Sequence, residues 1–155
     1  MPNWIEGTMK VRGTKDNLMQ FLNNVIDGVV AHKLDNNVEY GLPEVEYSLP
    51  ESAYVSDSRR AFVRESCYCY IYDNKDIQII TIPIQQAWSF GVNDLVAERW
   101  ITLAKKYSVD IRLQGFECGM EFYQDYAIED GKVTINNIIQ YDNWDWECPM
   151  PRLGG

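Results

Sequence analysis

Leu18, Phe21, Leu22, Val25, Ile26 and Val29 recur at three- and four-residue steps, a spacing that gathers them on one side of a helix. Thr14 stands before this run, and its hydroxyl can accept from the free N–H groups of a first turn. The pattern predicts a helix over 14–30, with His32 at its end. A second amphipathic run, Val92, Leu95, Val96, Trp100, Leu103, Ala104 and Tyr107, predicts a helix over 93–107 capped by Asn93. Between and around them the period changes from 3.6 to two. Residues 5–12 read as a first strand ended by Gly13. In 61–72 one face carries Ala61, Val63, Cys67, Cys69 and Ile71, with Glu65 as the exception. Asp73-Asn74-Lys75-Asp76 reads as a turn into a strand over 77–84, so these two runs are expected to form a β-hairpin. A further strand starts over 110–114, and Phe116, Cys118, Met120 and Phe122 alternate with Glu117, Gly119, Glu121 and Tyr123 after it. Glu129-Asp130-Gly131-Lys132 reads as a hairpin turn, returned by 133–141.

Strand, helix, hairpin, helix, strand is the β-α-β-β-α-β order of a split, ferredoxin-like unit, with an appended C-terminal strand and tail. The expected class is α+β: one domain over 1–155, an antiparallel sheet and two helices on one face.

Residues 34–58 break the pattern. They contain a tandem repeat, Val38-Glu39-Tyr40-Gly41-Leu42-Pro43-Glu44 followed by Val45-Glu46-Tyr47-Ser48-Leu49-Pro50-Glu51. The prolines remove N–H donors and push the preceding leucines out of the helical region, so the seven-residue period is an extended arm and not a coiled coil. Such an arm either offers Tyr40 and Tyr47 to a partner beside carboxylates or merely covers an edge of the core. At the other end, the aromatic Trp144-Asp145-Trp146-Glu147 stretch is expected to dock on the body.

Composition narrows the function classes. The chain of 155 residues has 14 Lys plus Arg against 23 Asp plus Glu, a formal net charge of −9. Duplex nucleic acid, which is bound largely by cations neutralising phosphates, is disfavoured as a partner. No apolar run approaches the roughly 20 residues of a membrane helix, and the start lacks a basic-then-apolar leader, so a cytoplasmic protein is expected. Cys67, Cys69, Cys118 and Cys148 lack zinc-site spacing and read as buried free thiols. His32 is the single histidine, and no phosphate loop, nucleotide-binding glycine pattern or nucleophile elbow is present. No metal or cofactor is expected.

Three other sets of residues carry candidate chemistry. Glu65, by its parity, falls among apolar neighbours, where burial would perturb it. Glu117 and Glu121 share a strand face in this reading, but at about 3.3 Å per residue they lie roughly 13 Å apart. That exceeds the roughly 5–9.5 Å of glycosidase pairs, unless Gly119 bends the chain. Tyr68, Tyr70 and Tyr72 with Arg64 form an aromatic stripe, either a base-stacking surface without the usual basic surround or a face covered by the arm or the tail.

Four stretches in order, Met1-Pro2-Asn3-Trp4, Lys10-Val11-Arg12-Gly13, Gln86-Ala87-Trp88-Ser89 and Glu117-Cys118-Gly119-Met120-Glu121-Phe122, resemble a group of small phage and plasmid proteins, the YubB-like proteins with a ferredoxin-like domain. The ending from Trp144 to Gly155 is similar to that of a subset in phages of Gram-positive bacteria. The chain has Phe90-Gly91 where enteric members carry prolines. The resemblance implies a fold and a mobile-element setting, and transfers no reaction or catalytic residue. Together with the charge, it leads to the expectation of a stoichiometric, non-catalytic binder of a host protein. Its sharpest form is an anti-CRISPR or other counter-defence inhibitor aimed at a basic nucleic-acid-binding effector. The contact residues expected are Glu39, Tyr40, Glu44, Glu46, Tyr47 and Glu51 of the arm, with Asp142, Trp144, Asp145 and Trp146 of the tail. The alternative is a small nucleotide- or metabolite-processing enzyme using Glu65 or the Glu117/Glu121 face.

Overall fold

The computed structural model describes residues 3–34, 41–58, 60–91 and 94–155. Its element order is β1 (Trp4–Thr14), α1 (Lys15–Val25), β2 (Val30–Lys33), β3 (Val45–Leu49), β4 (Ala61–Val63), β5 (Cys67–Ile71), β6 (Ile77–Ala87), α2 (Asp94–Tyr107), β7 (Asp110–Glu117), β8 (Phe122–Glu129), β9 (Lys132–Gln140) and α3 (Trp144–Glu147). The class is α+β, with two antiparallel sheets. One has six strands in the order β4-β6-β1-β7-β8-β9, and the other has three, β2-β3-β5.

The long central strand β1 explains why the six-stranded sheet holds one register. Ile5, Met9 and Val11 are buried on one face, while Lys10 and Arg12 reach solvent on the other. Ile80, Ile82 and Ile84 of β6 and Ile111 and Leu113 of β7 continue the buried face on either side. A slip of one residue would turn all of these outward. Both longer helices pack on that face: α1 touches β1 and β6, and α2 touches β7 and β8. Leu18, Phe21, Leu22 and Val25 of α1 and Trp100, Leu103 and Ala104 of α2 are buried there. Gly7 faces Gly115 across β1 and β7, where a Cβ on Gly7 would lie 1.9 Å from the Gln114 carbonyl oxygen.

Thr14 caps α1 as expected, its hydroxyl accepting from Asn17 N at 3.3 Å. The helix stops at Val25, however, five residues before the expected end. Gly28 adopts a φ of 70°, and the chain leaves as β2. His32 is therefore an exposed strand residue opposite Glu46, not a helix terminus. The expected Asn93 cap lies outside the described residues.

The expected arm over 34–58 is corrected by β3. Val45, Tyr47 and Leu49 are buried and alternate with half-buried Glu46 and Ser48, and the strand runs between β2 and β5. Pro43 and Pro50 stand just outside its ends, where missing N–H donors disturb no ladder. The hairpin expected from 61–72 and 77–84 does not form either. The first run bends at Arg64–Ser66 into β4 and β5, and these join different sheets: β4 pairs with β6, and β5 with β3. The link from β5 to β6 is held by the Gln78 side chain, which accepts from Tyr72 N at 2.8 Å and donates to Tyr72 O at 2.7 Å. One amide thus replaces a missing ladder rung.

A third correction concerns residues 118–121, which form a turn between β7 and β8, so Glu117 and Glu121 do not share one strand face. The later hairpin is as read. Asp130 and Gly131 have φ of 50° and 71°, the two positive values a tight I′ turn requires. The tail docks in part: Trp144 is buried, and Gly154 N donates to the Glu6 carboxylate and Gly155 N to Trp4 O, each at 3.2 Å, but Trp146, expected to dock with it, is 87% exposed. Among the described residues no helix is long and apolar enough to cross a membrane.

Candidate functional site

The end of the six-stranded sheet where β7 turns into β8 is built from several distant segments. After β6, Trp88 takes a φ of 69°, a left-handed conformation that costs a bulky residue roughly 1–2 kcal/mol. Its neighbours hold it there. Trp88 N donates to Asn3 O at 2.8 Å, and the buried Gln86 amide donates to Ser89 O at 2.8 Å. Gln86 is fixed in turn by Trp100, whose Nε1 donates to Gln86 Oε1 at 3.0 Å. Gln124 then accepts from Phe90 N at 2.9 Å and donates to Asn136 on β9 at 3.1 Å. The segment 86–90 is therefore clamped by side-chain amides from two strands.

Facing it, Glu117 closes the β7–β8 turn. Its two carboxylate oxygens accept from Gly119 N and Met120 N, each at 2.7 Å, although the side chain is only 1% exposed. Charge-assisted hydrogen bonds of this kind offset the desolvation of a buried carboxylate. Between these walls lies a groove of about 390 Å³, bordered by Trp88, Ser89, Glu117, Met120, Phe122 and Ile138, with Gln140 beside them. Its apolar rim is open to solvent, with Trp88 53% and Met120 63% exposed. Ser89 is buried, and its Oγ has no hydrogen-bond partner.

The residues expected to carry contacts are dispersed. Glu39 and Tyr40 lie outside the described residues. Tyr47 faces the core, where burial pushes its phenol above the ordinary range, so its ring is not on the surface. Glu44 pairs with Lys15, which also bonds Asp73 at 2.7 Å and is itself raised by the two carboxylates. Glu46 is half-buried beside Tyr70, and Glu51 is exposed in a turn. In the tail, Trp144 is buried and its Nε1 donates to Pro151 O at 2.9 Å. Trp146 is the opposite case, 87% exposed, with Asp142 and Asp145 exposed near it. Asn143 caps this single turn by accepting from Trp146 N at 3.2 Å, while the Glu147 carboxylate accepts from Asp142 N and Asn143 N.

The carboxylates singled out as catalytic candidates are not brought together. Glu65 lies in the bend between β4 and β5 with its side chain 60% exposed, ion-paired to Arg64 at 3.1 Å. Its expected burial came from extending one strand's parity through a bend. Glu117 is buried and bound to its own turn, whereas Glu121 is exposed at the other side of that turn with a φ of 57°. Tyr68 and Tyr70 are exposed on β5, so the aromatic stripe is on the surface. Cys69 and Cys148 are buried, and Cys67 and Cys118 are half-buried. A hydrogen bond between neighbouring thiols lowers Cys67 and raises Cys69. Among the described residues no group of three or more His, Cys, Asp or Glu is placed to hold a metal ion.

Sequence reasoning missed the groove, although Trp88, Met120 and Phe122 belong to two of the stretches quoted for the resemblance. The sequence reading places Met120 and Phe122 on one strand face and Ile138 in the strand over 133–141, so only Trp88 stands as an apolar residue outside any period. Comparison of the chain with protein-family models, curated proteins and solved structures finds no match.

Proposed function

We propose that this chain is a phage or mobile-element accessory protein of the host cytoplasm that binds a host protein stoichiometrically and without catalysis, most sharply as an anti-CRISPR or other counter-defence inhibitor. The observation that carries this reading is Trp146. A tryptophan 87% exposed on a capped turn presents a large apolar surface from a backbone already held in place, so a partner that covers it orders the side chain and not the turn. Asp142 and Asp145 surround it with negative charge on a chain of net charge −9, which suits a basic nucleic-acid-binding effector and speeds encounter. The order β4-β6-β1-β7, with α1 leaving β1 and α2 leaving β6, supports a ferredoxin-like core to which β8 and β9 are added at one edge and the three-stranded sheet by insertion.

The test is phage plating on a host carrying an active CRISPR system, with and without the chain expressed, followed by binding to the purified effector across a salt series. Restored plating that Trp146→Ala and Asp145→Lys abolish supports the reading. Unchanged plating together with no salt-dependent binding overturns it.

A further inference from the structure

We propose that the groove between Trp88–Ser89, the β7–β8 turn and β9 is a binding site for a small planar aromatic amine, independent of the Trp146 surface. Four observations carry it. The groove of about 390 Å³ lies within the usual range of small-ligand sites and is bordered chiefly by Trp88, Met120, Phe122 and Ile138. An indole, a thioether and a phenyl ring together favour a flat ring by stacking and sulfur–aromatic contact. Ser89, which borders the groove, supplies an unused hydroxyl, buried at 4% exposure with no partner. The Glu117 carboxylate, bordering the groove at only 1% exposure with each oxygen accepting a turn N–H, places negative charge directly behind the apolar rim.

Charge selects the amine. A carboxylate at the groove and the chain's net charge of −9 attract an ammonium or N–H donor and repel a phosphate or carboxylate. The clamp on residues 86–90 adds preorganisation: the Trp88 backbone is already held at a φ of 69°, so binding does not have to order the main chain of this wall.

The probes are tryptamine and indole-3-acetate, which share a ring and differ in the sign of their charge, with n-hexylamine as an amine without a ring. Calorimetric titration of the full chain is expected to show saturable 1:1 binding of tryptamine. Binding of the other two should be weaker by about tenfold or more. Trp88→Ala and Ile138→Lys should each weaken tryptamine by about tenfold, and Ser89→Ala by a few-fold. Should Trp88→Ala fail to fold, Met120→Ala at the exposed turn takes its place. No saturable tryptamine binding overturns the proposal, as does equal binding of indole-3-acetate or n-hexylamine, or indifference to the groove substitutions. Sedimentation that shows the wild type dimerising and Ile138→Lys monomeric would assign the groove to a second copy, and also overturns it.

Discussion

Trp100 Nε1 donates to Gln86 Oε1 at 3.0 Å inside the core, and the same Gln86 amide donates on to Ser89 O. A helix and a strand are joined here by a side chain that has no apolar substitute. Gln86→Leu keeps the volume but leaves the Trp100 indole N–H and the Ser89 carbonyl without partners. Each orphan costs about 1–3 kcal/mol. Urea unfolding should show a loss of about 2–6 kcal/mol for the two orphans together, and a midpoint equal to wild type would mean that the amide does not hold segment 86–90.

Gly7 is the most constrained glycine in the sheet. The 1.9 Å approach of a Cβ to the Gln114 carbonyl is to backbone, which a rotamer change cannot relieve. Gly7→Ala is expected to cost more than about 3 kcal/mol, in the range of severe overpacking. Gly41→Ala meets nothing within 4 Å, although its φ of 66° adds a modest strain. Comparison of their melting temperatures separates steric from conformational cost.

Tyr126 is buried, its hydroxyl lacks a partner, and desolvation raises its phenol above the ordinary value of about 10. A folded-state value raised above the unfolded one means stability that is fully present below about pH 10 and lost as pH rises through the folded value. Tyr126→Phe should be neutral or stabilising by up to about 1 kcal/mol at pH 7, and should flatten the alkaline loss. Chemical denaturation at pH 7 and at alkaline pH reads both effects; a clear loss at neutral pH would show that the hydroxyl is satisfied in solution.

The two tail tryptophans should behave oppositely. Trp144→Ala removes a buried ring stacked edgewise on Tyr141 at 5.7 Å and should cost about 3–5 kcal/mol. Trp146→Ala should lie within about 0.5 kcal/mol of wild type while losing partner capture. Thermal unfolding of both variants checks the first half, and equal destabilisation would contradict the structure.

Reversing all four glutamates expected as arm contacts, Glu39, Glu44, Glu46 and Glu51, to Lys is not a clean test of partner binding. Glu44 belongs to an ion pair with Lys15, and Glu46 to a strand flanked on both sides. Glu51→Lys alone, at an exposed turn, leaves the fold within about 0.5 kcal/mol and isolates the electrostatic effect, read as the salt dependence of capture.

What the sequence determined by itself is local and periodic. The α1 and α2 faces, the Thr14 cap, the alternation in β1, β6 and β7 and the Asp130-Gly131 turn follow from spacing and backbone preference, which act within a few residues. Pairing was not determined in this way. Alternation is the same whether β5 meets β6 or β3, and only the bend at Arg64–Ser66 and the Gln78 bridge decided it. The repeat around Tyr47 looked like a surface arm because its prolines were visible, while the neighbouring strands β2 and β5 that bury it were not. The groove belongs to the tertiary structure altogether. Its walls, from Trp88 to Ile138, lie 50 positions apart in the chain, and no short-range preference reports that separated segments converge at one end of a sheet.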